Sequence, residues 1–222
     1  MTSSQTSNTI NHNNNINHNN NNTTNATGYL ELFIGPMFSG KTSALLEIYK
    51  KCNFCSIPVS IINHTIDVRY HDKMVSSHDK EMAPCLQANK LSDIWTREGW
   101  IESGHESDIY ANRLLRNAEV ILINEGQFFP DLYEVVVDML NNNKKVYVCG
   151  LDGDFERKKF GAILDLIPIC DKVNKLTSLC SICRDGTPGI FSMRLTSEKE
   201  QTIVGSDNYI PVCRKCYSYS YK

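Results

Sequence analysis

Three groups of residues in this chain could do chemistry, and the spacing of each says which. The first is Gly35-Pro36-Met37-Phe38-Ser39-Gly40-Lys41-Thr42, which fits G-x-x-x-x-G-K-[ST], the phosphate-binding loop. Its glycines let the backbone curl until several N–H groups point at one anion. Lys41 offers a mobile cation for β/γ-phosphates, and the Thr42 hydroxyl is a ligand for Mg²⁺. The bland alternative is a chance match in a Gly-containing turn. An alternating apolar run at 29–34 and helix-forming residues at 43–51 supply the strand and helix that the motif requires. The pattern therefore points to a bound nucleoside triphosphate.

The second group is acidic and aromatic. The stretch 119–125 is nearly continuous in β-branched and apolar residues, as a strand buried on both faces should be, and it ends in Asn124-Glu125-Gly126-Gln127-Phe128-Phe129. A nucleotide-binding core carries its second acidic motif at such a strand end. Here the first polar residue is Asn124, and the carboxylate follows at Glu125. A carboxylate beside a triphosphate can take the proton of an attacking hydroxyl; the plainer alternative is a cap for the next helix. Asp67 and Arg69 follow the strand 59–63 and could act on phosphate or metal, or form a solvated pair in a loop. Phe128 and Phe155 each follow a strand; they could wall a flat pocket for a base, or be ordinary core.

The third group is cysteine. Cys180-x-x-Cys183 and Cys213-x-x-Cys216 are two knuckles whose four thiolates suit a tetrahedral, closed, structural Zn²⁺ site. A redox pair or buried free thiols are the alternatives. The intervening stretch is longer than the roughly 15–20 residues usual between such pairs, so a long loop must connect them. Cys52-x-x-Cys55 has no second pair and reads as structural, while Cys85, Cys149 and Cys170 are expected to be buried.

These groups need elements to hold them. Strands are expected at 29–34, 59–63, 119–125, 145–150 and 172–176, and helices at 43–51, 91–95, 108–117 and 131–141. In the helix at 43–51, Leu45, Leu46 and Tyr49 share a face; in that at 108–117, Ile109, Leu114 and Leu115 should point inward and Arg113 and Arg116 outward. Strands alternating with helices make an α/β fold with a parallel sheet. Residues 1–27 are dominated by Asn and lack hydrophobic periodicity, so a disordered tail is expected, with an interaction segment as the alternative. That leaves a nucleotide-binding domain at 28–178 and a small zinc subdomain at 179–222. The net charge of −2 gives no footprint for nucleic acid. No apolar run approaches the roughly 18 residues of a membrane span, and no signal-peptide pattern stands at the start. His78-Asp79-Lys80 reads as surface.

Together the pieces resemble the thymidine kinase family of the cellular, zinc-containing kind. The stretches that carry the resemblance are GPMFSGKT, residues 67–70 (DVRY), residues 125–129 (EGQFF), residues 151–155 (LDGDF) with 159–164 (KFGAIL), and the four knuckle cysteines. It covers about residues 28–217, everything but the Asn-rich tail. The resemblance implies a RecA-like parallel sheet flanked by helices, with a C-terminal zinc and lasso subdomain that closes over the nucleoside. It implies transfer of the γ-phosphoryl of ATP to the 5′-hydroxyl of thymidine, giving dTMP for nucleotide salvage, with deoxyuridine as a second substrate.

Glu125 then matches the base for the 5′-hydroxyl. Residues 35–42 match the phosphate and Mg²⁺ site, together with Asp67, Val68, Arg69, Asn124, Gly126 and Gln127. Phe128 and Phe155 match a sandwich for thymine, and Met37 and Leu151 match positions near its 5-methyl group. Gln201, Thr202, Ile203, Val204, Gly205 and Tyr209 fall in the lasso, with Arg194 at its base. The family is tetrameric, cytosolic and inhibited by dTTP, and needs no nucleic acid or membrane partner. Two departures stand out. Family members generally have Asp where this chain has Asn124, which implies weaker Mg²⁺ affinity and not a dead enzyme, since a neutral carbonyl replaces a charge. The lasso before Tyr209 is also one residue shorter than the vertebrate pattern. Two other functions remain: a nucleotide sensor that lost turnover through Asn124, against which Glu125 speaks, and a zinc-containing ATPase acting on DNA, against which the charge balance speaks.

Overall fold

A run such as Val120-Ile121-Leu122-Ile123 has no polar face, so it is stable only between two layers. The computed structural model describes residues 27–67, 74–77, 79–96, 105–198, 200–201 and 206–220, and places this run at the centre of a six-stranded sheet. The strands are β1 (Tyr29–Ile34), β2 (Val59–His64), β3 (Leu86–Ala88), β4 (Val120–Ile123), β5 (Lys145–Gly150) and β6 (Lys172–Lys175). Their order is β3-β2-β4-β5-β1-β6 and every pairing is parallel, with Leu32 opposite Val148 and Ile61 opposite Leu122.

Successive side chains of a strand point to opposite faces, so β4 feeds two cores. Val120 and Leu122 meet Leu45 and Leu46 of α1 (Lys41–Phe54) on one side. Ile121 and Ile123 meet Leu115 of α2 (Glu106–Asn117) and Val136 and Met139 of α3 (Leu132–Asn141) on the other. Each fully buried aliphatic side chain contributes about 1.5–3 kcal/mol by leaving water. This double burial holds the strand ends, and hence the loops that follow them, in one plane.

Several elements differ from the sequence expectation. The helix expected at 91–95 is a single 3₁₀ turn, Leu91–Asp93, whose first N–H groups are taken by the Asp131 carboxylate at 3.0 and 2.8 Å. The carboxylate caps those two donors, and the Ile94 N–H bonds back to the Leu91 carbonyl at 3.1 Å, the three-residue spacing of a short 3₁₀ turn. Ile109 is half exposed instead of inward, because the buried face of α2 is Ala111, Asn112 and Leu115. Cys55 is exposed, and Cys85 and Cys170 are only partly buried, whereas Cys149 is fully so. β3 and the hairpin Met74–Ser76/Met82–Pro84 add strands of three residues, too short to show a period. The Asn-rich segment 1–26, Val68, Arg69, His78 and residues 202–205 lie outside the described residues. No helix among the described residues is long and apolar enough to cross a membrane.

The C-terminal part has its own small core of Cys180, Met193, Val212, Cys213 and Tyr217. Two antiparallel pairs build it, Ser178–Leu179 with Pro188–Gly189 and Phe191–Arg194 with Tyr209–Val212, followed by α4 (Arg214–Ser220). It is docked on the sheet domain: the Tyr217 hydroxyl donates to the Phe155 carbonyl at 2.5 Å, and the Met37 N–H to Ser192 Oγ at 2.9 Å.

Candidate active site

Ligand sites of open parallel sheets lie beyond the carboxyl ends of the strands. At that edge the loops after β1, β2, β4 and β5 and the C-terminal part line one open cleft. Of the residues singled out in the sequence, Met37, Phe38, Ser39, Gly40, Lys41, Thr42, Asp67, Glu125, Phe128, Leu151, Phe155, Gln201 and Tyr209 line it. Asn124 and Gln127, expected at the phosphates, are instead buried beneath its wall, and Gly126 is buried beside them.

The loop 35–42 turns directly into α1. Gly40 is the residue before the helix and has φ 80°, a left-handed conformation that favours glycine. It offers no side-chain cap, and the first turn carries no acidic residue, so the positive end of the helix dipole faces the cleft. Lys41 is buried and folds back, its Nζ donating to the Pro36 carbonyl at 2.6 Å and to Ser39 Oγ at 3.4 Å. These are replaceable partners: a phosphate oxygen in the loop makes a stronger, charge-assisted acceptor.

Glu125 sits at the end of β4 in a left-handed conformation, φ 54° and ψ 42°. For a residue other than glycine such a backbone costs on the order of 1–3 kcal/mol and persists only where neighbours enforce it. The Phe128 N–H closes the turn on the Glu125 carbonyl at 3.0 Å, and Gln127 holds the side chain: its Nε2 donates to Glu125 Oε2 at 2.7 Å, while its Oε1 accepts the Leu151 N–H at 2.9 Å. Gly126 allows this turn to press on β5, since a Cβ there would meet Val148 Cγ1 at 2.7 Å. The turn aims the carboxylate into the cleft, and the buried amide of Gln127 ties it to the 151–155 loop across the sheet. Gln127 is thus committed to Glu125 and Leu151, a positioning role for which a buried amide with both ends satisfied is suited.

Phe128 and Phe155 both line the cleft. Phe128 is braced by Phe160 edge-on at 5.4 Å and by His64 at 5.5 Å. Burial lowers the pKa of His64, and its Nδ1 accepts the Ile66 N–H at 3.1 Å, so the ring is held neutral. Phe155 is covered on one face by the Arg194 guanidinium, 3.6 Å from the ring centroid. Arg194 also donates to the carbonyls of Glu198, Glu200 and Gln201 at 3.0, 2.5 and 3.0 Å, and to the Tyr209 hydroxyl at 2.5 Å. Gln201 Nε2 in turn donates to Asp154 Oδ2 at 2.8 Å. One buried guanidinium therefore holds Glu198, Glu200 and Gln201 against the aromatic wall. Ser192 was not singled out in the sequence; it comes from docking between distant segments and leaves no local signal, whereas Asp154 and Phe160 stood within the stretches 151–155 and 159–164 without a task of their own.

Thr42 and Asp67 bring oxygen donors to the floor of the cleft, a donor set that suits Mg²⁺. Asn124 reaches Thr42 from below, Thr42 Oγ1 donating to Asn124 Oδ1 at 3.3 Å. At the far end of the C-terminal part, the sulfurs of Cys180, Cys183, Cys213 and Cys216 all lie within 4.8 Å of one another. Cys183 Sγ stands 3.8 Å from that of Cys213 and 3.4 Å from that of Cys216. Four sulfurs at about 2.3 Å from one tetrahedral ion would be roughly 3.8 Å apart, so the cluster fits Zn²⁺. Burial opposes ionisation of Cys180, but N–H groups of Cys183, Cys213 and Ile182 outweigh it and pull the thiol down to about 6.

The model of one protein family, thymidine kinase, matches residues 28–217 of the chain. A thymidine kinase of Yaba monkey tumor virus is 38% identical over 192 residues, 86% of this chain and 95% of the relative. Thymidine kinase 1 of Dictyostelium discoideum is 33% identical over 200 residues, 88% of this chain and 80% of the relative. A thymidine kinase of vaccinia virus (strain Ankara) is 39% identical over 191 residues, 86% of this chain and 97% of the relative.

Proposed function

The chain belongs to the thymidine kinase family, and from that premise we propose that it transfers the γ-phosphoryl of ATP to the 5′-hydroxyl of thymidine, giving dTMP. The observation that carries the assignment to this cleft is convergence: a glycine-rich loop at a helix N-terminus, a strained carboxylate and two aromatic walls meet in one space. Phosphoryl transfer asks little covalent chemistry of a protein, so positioning and electrostatics supply most of the rate.

Each residue then has a task. Thymine lies between Phe128 and Phe155, with Met37 and Leu151 toward its methyl group, while the lasso segment around Gln201 and Tyr209 closes over it. The N–H groups of 35–42 and the Lys41 ammonium hold the β- and γ-phosphates. Glu125 accepts the 5′-hydroxyl proton, and Gln127 keeps its carboxylate aimed. Thr42 and Asp67 would hold Mg²⁺, which supplies charge neutralisation on the phosphates when bound. The four cysteines would hold a structural Zn²⁺ that fixes the C-terminal part, and with it Tyr217 and the Phe155 loop.

Further parts of the reading concern regulation and setting. A homotetramer in the cytosol, where reduced thiols suit a zinc site, and feedback inhibition by dTTP belong to the same proposal. Inhibition has a physical sense, because one triphosphate can fill both the nucleoside pocket and the phosphate loop. The test is product formation by the full-length protein with Mg·ATP and thymidine, deoxyuridine, deoxycytidine or deoxyadenosine. Turnover confined to thymidine and deoxyuridine supports the reading. Tight thymidine binding without turnover would make the protein a sensor.

A further inference from the structure

A hydroxyl that turns its oxygen toward a cation or phosphate must send its hydrogen elsewhere, and Thr42 sends it to Asn124 Oδ1 at 3.3 Å. That oxygen also accepts the Cys149 thiol at 2.9 Å. The other end of the amide, Asn124 Nδ2, donates to Asn63 Oδ1 at 2.9 Å, and Asn63 Nδ2 donates to Asp67 Oδ2 at 3.3 Å. Asn63 is fully buried at the end of β2, and Asn124 is 1% exposed at the end of β4, so water cannot substitute for a wrong partner.

An amide has nearly the same shape either way round, and something must decide which end faces Thr42. Asp67 is the one member of the line fixed in kind, because a carboxylate only accepts. It demands the NH₂ of Asn63; Asn63 then has only its oxygen left for Asn124; Asn124 must answer with its NH₂ and turn its oxygen to Thr42. We infer that Asn63 is a positioning residue that passes the acceptor sense of Asp67 across the sheet to Asn124. A neutral amide at 124 thereby meets the Thr42 hydroxyl as a carboxylate would. This rests on the proposed reading of Thr42 as a ligand of the ATP-bound cation.

The test is a double-mutant cycle of Asn63→Leu in the native background and in Asn124→Asp. The readout is Mn²⁺ affinity of the full-length protein with a non-hydrolysable ATP analogue, followed by Mn²⁺ EPR, with the Mg²⁺ dependence of turnover beside it. In the native background Asn63→Leu should weaken Mn²⁺ binding by about 10–100-fold, as loss of a ligand's supporting partner does. In Asn124→Asp the same change should leave binding within about twofold or tighten it, since both oxygens of Asp accept from Thr42 and the Asn63 oxygen facing it is then only a second acceptor. An equal loss in both backgrounds, or no loss in the native one, overturns the inference. Where Asn63→Leu does not fold, Asn63→Ser is used with the same two criteria. Because Mn²⁺ binding needs no turnover, a protein that fails to phosphorylate thymidine sinks the kinase reading and still leaves the cycle readable.

Discussion

Changing Glu125 to Gln replaces one carboxylate oxygen with an NH₂ group of similar size and removes the only function a base needs. The surroundings tolerate the change. Gln127 Nε2 now donates to Glu125 Oε2 at 2.7 Å, and the amide oxygen of a glutamine can accept the same bond. The left-handed turn and its close packing on Val148 are backbone features that the variant keeps. The walls of the nucleoside pocket, Phe128, Leu151 and Phe155, are untouched. Thymidine affinity should therefore hold within about 0.5 kcal/mol, the scatter of substitutions that disturb no packing. The chemical step should slow by about 10²–10⁴-fold, the usual contribution of a general base. At ~1.36 kcal/mol per decade this is a barrier higher by about 2.7–5.5 kcal/mol. Rapid-quench measurement of dTMP formation gives the step, and equilibrium titration with thymidine gives the affinity. A fully active variant, or one that loses binding as much as rate, would refute the assignment of Glu125 as the base.

Three further outcomes follow from the same geometry. Arg194→Lys keeps the charge but loses the stack on Phe155 and the fan of bonds to Glu198, Glu200 and Gln201. The thymidine KM should rise about 10–100-fold, the equivalent of losing one or two charge-assisted hydrogen bonds, with a smaller change in kcat; an unchanged KM contradicts this. Stripping zinc with a chelator should open 178–220 to limited proteolysis and weaken thymidine binding through the Tyr217–Phe155 contact, more than it weakens ATP binding. Equal weakening of both would show that the zinc part does not act through the nucleoside wall. His64 has its folded-state pKa lowered by burial, so the unfolded chain binds its proton first. Its contribution to stability is full above the unfolded value of about 6.5 and is lost as pH falls through the folded value. The Tm of His64→Leu should thus fall less between pH 7.5 and 5.5 than that of the native protein, and parallel Tm curves would contradict the assignment.

Much of the fold was legible because its strands are buried on both faces and end in polar residues with obvious chemistry. Val120–Ile123 reads as a central strand from its side chains alone, and residues 35–42 carry their own anion site in their spacing. The lining of the cleft by Asp67, Glu125, Phe128 and Phe155 follows from each standing after a parallel strand. What escaped the sequence depends on contacts between distant segments. Ser192 reaches Met37 across 155 residues, and Gln201 reaches Asp154 across 47. Ile109 looked inward on a helical wheel, yet packing chose the stripe through Ala111 and Leu115. Asn124 was visible as a neutral residue beside Glu125, but the sense of its amide depends on Asn63 and Asp67, which only the fold brings to it. Asn63 carried a signal that could have been followed: a polar residue directly after the buried pair Ile61-Ile62, four residues before the acid Asp67.

The most direct measurement is a single turnover with ATP labelled in its γ-phosphoryl group, mixed with an excess of the full-length protein, Mg²⁺ and thymidine. The label should appear on the thymidine 5′-oxygen in step with ADP, with little free phosphate. Release of the label as inorganic phosphate at the same rate with and without thymidine would contradict a cleft built to place a nucleoside hydroxyl between Glu125 and the phosphate loop.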